Sequence, residues 1–214
     1  ESSWKQVAKL TADDGAENDR FGYSVGISDG TIVVGAYYDD DNGRRDSGSV
    51  YLFQMSSSGD ASLWTQVAKL TADDGAKHDY FGYSVAIRDG TIVVGAGGDD
   101  DKGSHSGSAY VFEMSSPGDA SSFTQVAKLT ADDGAKYDYF GNYVVIGDGT
   151  IVVGAPYDTD KGSNSGAAYL FEKSSSNDAS WSSSPRLLAS LVSIMSYLLQ
   201  PPRTKVTNPL FDLV

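Results

Sequence analysis

The 214-residue chain contains no cysteine. That excludes disulfides, thiolate metal sites, iron–sulfur clusters and a cysteine nucleophile together, while leaving the compartment open. Cations are scarce as well: 16 Lys and Arg stand against 29 Asp and Glu, a formal net charge of -13. Such a chain repels nucleic acid and anionic membrane surfaces, so neither is expected as a partner. No apolar run approaches the roughly 20 residues that cross a bilayer as a helix, so no transmembrane segment is expected. Glu1 in place of an initiator Met is read as a signal peptide already removed or lying outside this sequence. Catalytic patterns are missing: no Ser–His–Asp order, no glycine-rich phosphate loop between strand and helix, no helix with paired metal ligands. Acid pairs do occur, but they recur along the chain, whereas an active site is one asymmetric place. The protein is expected not to be an enzyme.

What the chain does have is repetition. Trp4 opens WKQVAKLTADDGAENDRFGYSVGISDGTIVVGA, Trp64 opens WTQVAKLTADDGAKHDYFGYSVAIRDGTIVVGA, and Phe123 opens FTQVAKLTADDGAKYDYFGNYVVIGDGTIVVGA. The three copies span about 4–63, 64–122 and 123–180 of a domain over 1–180, and 181–214 form a divergent tail. Each copy reads as four short strands, in the first at 5–11, 21–27, 31–36 and 48–54. The run TIVVGA suits a strand buried on both faces. Asp29-Gly30 and Asp89-Gly90 between strands predict two-residue type I′ hairpins, since both turn residues then need positive φ; Asp148-Gly149 repeats the signal. Four antiparallel strands per copy predict an all-β fold of propeller blades, three per chain, with a solenoid as the weaker alternative.

Phe21-Gly22, Phe81-Gly82 and Phe140-Gly141, each followed by VVGA, resemble the FG-GAP repeat of integrin α-subunit propellers and related surface proteins. Only the third copy keeps a literal Gly154-Ala155-Pro156. In calcium-binding members an Asp-x-Asp-x-Asp-Gly loop follows the FG strand. Here that hairpin has shrunk to Ser28-Asp29-Gly30, too short to supply calcium's six or more oxygens, so the family's usual site is absent.

With the FG strand as strand 1 and the next copy's WTQVAKL as strand 4, the 4–1 and 2–3 loops emerge on one face. That face collects the acids and should attract cations or basic partners. Copy-to-copy variation collects there too: at Asn18, His78 and Tyr137; at Arg20, Tyr80 and Tyr139; at Tyr37, Tyr38 and Tyr157; and at Arg44, Arg45, His105 and Asn164. Loops that differ blade by blade on a rigid scaffold have the character of a binding surface, although loops also drift where nothing holds them. Asp39 and Asp41, Asp99 and Asp101, and Asp158 and Asp160 are spaced like the first half of a calcium loop. Turn capping of backbone N–H groups is the competing reading of these six. His78 and His105 with Asp99 and Asp101 would be a zinc set if the two loops met. The resemblance makes this face the ligand-binding one. It implies an adhesion module, extracellular or at the cell surface (alternatively in an organelle lumen), that recognises a protein or glycan, with calcium in support. The alternative is an assembly subunit that docks through blade faces and its tail.

In the tail, Ser184, Pro185 and the stop at Pro201-Pro202 bound an amphipathic helix near 185–199. Certain codons for Ser190–Tyr197, read two bases later, spell Phe-Gly-Glu-Tyr-Tyr-Val-Ile, so a frameshifted fourth repeat is a second reading. Three blades fall short of the 4 to 8 of a closed propeller, so a homodimer or larger assembly is expected, unless the chain is an open stack or part of a longer protein.

Overall fold

The computed structural model describes residues 3–55, 64–173 and the backbone of 181–182. Strands β1 (Ser24–Ser28), β2 (Thr31–Ala36), β3 (Ser49–Met55) and β4 (Trp64–Leu70) make one antiparallel sheet in that order. A second holds β5 (Ser84–Arg88), β6 (Thr91–Ala96), β7 (Ser108–Met114) and β8 (Phe123–Leu129). The third holds β9 (Tyr143–Ile146), β10 (Thr150–Ala155), β11 (Ala167–Lys173) and the two-residue β12 (Trp181–Ser182). This is a three-blade, propeller-like all-β fold. Each copy supplies three strands of its blade, and the fourth comes from the copy that follows.

The hairpins form as their turn residues dictate. Asp29 and Gly30 both take positive φ (48° and 73°), and Asp89 and Gly90 repeat this (48° and 72°). In the third copy only Gly149 does so, at 72°, so this turn departs from type I′. Both β3 and β7 shift register once against their fourth strands, at Leu52/Phe53 and Val111/Phe112, a bulge that bends the outer strand.

Two strand expectations need correction. Residues 5–11 form no strand, although their equivalents are β4 and β8. Those strands pair with β3 and β7, and no such partner precedes residue 4 among the described residues. Strand 1 also begins at Ser24 rather than Phe21, because Phe-Gly turns inward: Phe81 and Phe140 are buried plugs and Gly82 and Gly141 are left-handed.

Blade packs on blade through apolar side chains. Val33, Val50 and Leu52 of the first meet Phe81 and Ile92 of the second, and Val93 and Val111 of the second meet Phe140 and Ile151 of the third. Each fully buried side chain of this kind stabilises the fold by about 1.5–3 kcal/mol. The backbones themselves come close: a Cβ on Gly35 would lie 2.1 Å from the Gly82 carbonyl oxygen, and one on Gly95 would lie 1.8 Å from that of Gly141. Glycine is therefore required at both positions by the neighbouring blade.

Residues 184–214 form a second unit, and the helix expected near 185–199 lies outside the described residues.

Candidate functional site

The 4–1 and 2–3 loops share one face, and backbone hydrogen bonds lace them together. Within a blade, Tyr38 N–H donates to Asp19 O (3.3 Å) and Gly98 N–H to Asp79 O (3.1 Å). Between blades, Tyr80 N–H donates to Asp46 O (3.2 Å) and Tyr139 N–H to His105 O (3.0 Å).

Beneath that face the acids are already engaged. Tyr51 Oη donates to Asp39, and Lys69 Nζ lies 2.7 Å from Asp14, 3.2 Å from Asp39 and 3.3 Å from Asp41. The second blade repeats the cluster: Tyr110 Oη donates to Asp74 and Asp99, both at 2.9 Å, and Lys128 Nζ reaches Asp74 (2.7 Å), Asp99 (2.9 Å) and Asp101 (2.6 Å). Burial opposes the charge of each lysine, but the bonds it donates to its aspartates prevail and hold both ammonium groups well above their ordinary range. Burial and the adjoining carboxylates push the Tyr51 and Tyr110 phenols up. In the third blade Tyr169 Oη donates to Asp158 (3.0 Å), and no lysine stands there among the described residues.

A second set of aspartates closes the loops. Asp19, Asp79 and Asp138 accept from the N–H of Ala16, Ala76 and Ala135 at 2.6–2.7 Å. Burial pushes the Asp79 carboxyl up to about 6; the Ala76 N–H bond opposes this, and the charges of Asp99 and Asp100 add to it. Asp39 and Asp41, and Asp99 and Asp101, expected as possible calcium ligands, here share a lysine ammonium as their counter-charge. Asp158 and Asp99 also accept from the N–H two residues on, at 2.9 and 3.0 Å, which is the turn-capping alternative. No group of three His, Asp or Glu among the described residues is arranged to hold a metal. The two histidines go to different partners, His78 to Asp46 and Tyr80, His105 to Ser104, Tyr137 and Tyr139.

The same face, besides exposed aspartates such as Asp13, Asp40, Asp73 and Asp100, carries a cluster of tyrosines. A cavity of about 530 Å³ is lined by Tyr37, Tyr38, Tyr80, Tyr83, Tyr137, Tyr139 and Tyr157 with Asn142, Asn164 and Gly97. The rings form two banks. Tyr37 lies 4.2 Å from Tyr38 and 5.2 Å from Tyr83, and Tyr139 lies 5.3 Å from Tyr157. Gly97 separates them, and the Asn142 amide oxygen would stand 2.1 Å from a Cβ placed there. Burial and the neighbouring Tyr38 and Tyr23 push the Tyr37 phenol up to about 12, and a bond with Tyr23 and then burial raise Tyr83 too. Tyr37 and Tyr83 therefore keep their phenolic protons, and a phenol of this kind both donates and accepts.

Backbone strain concentrates on this face. Arg20, Tyr80 and Tyr139 take left-handed φ of 61°, 58° and 55°, as do Asn18, His78 and Tyr137 at 70–76° and Asp46, His105 and Asn164 at 52–55°. Left-handed backbone costs an ordinary L-residue about 1–2 kcal/mol. The strain recurs at corresponding positions of the three blades.

Of the loop residues expected to bind, Tyr37, Tyr38, Tyr80, Tyr137, Tyr139, Tyr157 and Asn164 converge on the one cavity. Asn18, Arg20 and Arg45 line a neighbouring one of about 350 Å³, and Arg44 projects into solvent outside both. The sequence reading did not single out Tyr83 or Asn142. A signal existed: the position two residues after the Phe-Gly phenylalanine reads Tyr23, Tyr83 and Asn142, and so varies as the binding loops do.

These blades and their loop face define a propeller-type repeat protein. The model of the FG-GAP repeat matches residues 4–53, 64–112 and 123–171, and the chain belongs to that family. No curated protein matches it. Among solved structures, a europium-containing methanol dehydrogenase is similar at 10% identity with a TM-score of 0.43. The match covers 72% of this chain and spans only 23% of that one.

Proposed function

We propose that this chain is a non-enzymatic binding module, working outside the cell or at its surface, that captures a glycan or protein on its tyrosine face. The observation that carries the reading is the convergence of seven tyrosines and two asparagines from all three blades on one cavity. Neutral phenols present flat apolar rings with hydrogen-bonding rims, and two amides add fixed donors and acceptors. That lining favours a glycan, whose rings offer apolar C–H faces between hydroxyls, over a protein segment. The aspartates act underneath: tied to Tyr51, Lys69, Tyr110 and Lys128, they hold the loops in place and need no calcium in the first two blades. Groups so engaged favour binding over turnover.

A glycan array probed with the labelled chain tests this, followed by calorimetry of Tyr80→Ala and Tyr139→Ala against whichever sugar scores. Each variant should weaken binding at least tenfold. Unchanged affinity in both would remove the tyrosine face from the mechanism. Binding only to protein probes would leave the face and change the ligand.

A further inference from the structure

We propose that a second copy of this chain docks on the open flank of the third blade, its own first blade taking the place of a fourth. The observations come from comparing equivalent positions. Leu52 and Val111 are fully buried because the next blade covers them, whereas their counterpart Leu170 is 47% exposed. Val145 on the same flank is 61% exposed, while its counterpart Ala86 packs into the core between the second and third blades. The opposite end shows the complement. Val25 and Ile27 are each 66% exposed, while Val85 and Ile87 at the same positions pack against the first blade. Among the described residues, these two uncovered flanks are thus the two halves of an interface this chain already makes twice.

Two further features point to the same occupant. Gly35 and Gly95 are glycines because the next blade's Gly82 and Gly141 carbonyls press on them. Gly154 repeats them, yet a Cβ there would meet nothing nearer than Tyr143 of its own blade, at 3.4 Å. A docked copy would bring Gly22 against Gly154 and supply the missing reason. Charge is complementary too. Lys9 stands in residues 4–11 where Lys69 stands in β4, and its side chain is exposed. In the docked copy that segment runs beside β11, a strand addition, and Lys9 comes opposite Tyr169 beside Asp158 and Asp160, as Lys69 lies opposite Tyr51. Trp4 and Lys5 then replace the two-residue pairing of β12. The contact is head-to-tail, and two copies joined this way twice close a ring of six blades, within the usual 4 to 8.

Light scattering on the full chain tests the proposal. The wild type should run at twice the chain mass. Val145→Glu and Ile27→Glu, one on each flank, should each lower the mass toward that of one chain with unchanged circular dichroism. Gly154→Ala should do the same, since its Cβ is accommodated within its own blade. Mixing Val145→Glu with Ile27→Glu should recover a one-to-one pair, because one unaltered interface survives between them. A monomeric wild type, whatever covers the flank, overturns the proposal. So does an oligomer whose mass none of the three substitutions changes.

Discussion

Lys128 places its ammonium 2.9 Å from Asp99, a carboxylate only 4% exposed and also bonded to the Tyr110 hydroxyl. The lysine lies on an outer strand and the aspartate on a loop, so the pair fastens the loop face to the blade. Removing one partner of a buried pair costs about 3–5 kcal/mol, because the other charge is left uncompensated. Lys128 is partly solvated, so Lys128→Met should cost less, on the order of 2 kcal/mol. Urea unfolding gives the number, and a loss under a few tenths of a kcal/mol would show that solvent already neutralises the cluster.

Asp79 gives the fold a pH dependence of its own. Its folded carboxyl holds a proton up to about 6, against an ordinary value of 3.8. Between those values the folded chain binds more proton than the unfolded one, so this contribution to stability falls as pH rises and is lost above about 6. Asp79→Asn keeps an oxygen for the Ala76 N–H and removes the buried charge. The variant should be more stable than wild type at pH 7, with a flatter profile between pH 4 and 6. Thermal melts across that range decide it, and a variant less stable at pH 7 would mean that the carboxylate's bond outweighs its burial.

Tyr137 separates strain from packing. It is half exposed yet sits at a φ of 72°. Tyr137→Gly relieves about 1–2 kcal/mol of left-handed strain and loses about 0.5–1 kcal/mol through added freedom in the unfolded chain. A net gain of about 0.5–1 kcal/mol is expected, together with weaker binding at the tyrosine face. A loss of stability in chemical denaturation would show instead that contacts with His105 and Lys136 hold the ring in place.

Much of the blade was legible because its signals are local. Asp-Gly between two apolar runs marks a tight turn, and the run TIVVGA marks a strand, so hairpin positions and strand order followed. Residues 5–11 misled for a complementary reason. Their pattern is that of β4 and β8, but a strand exists only where another lies beside it.

Which side chains meet within the loops was not legible in the sequence. The lysines that meet the aspartates, Lys69 and Lys128, lie on outer strands and not in the loops that carry the acids. Pairing across some 30 residues of sequence depends on the blade folding back on itself, and no local pattern records it. The same holds for the outward face. That these loops differ from copy to copy is written in the residues. That Asp39, Asp79, Asp99 and Asp158 turn inward while the tyrosines of three blades gather into one cavity is settled only when the blades stack, because stacking fixes which side chains reach solvent.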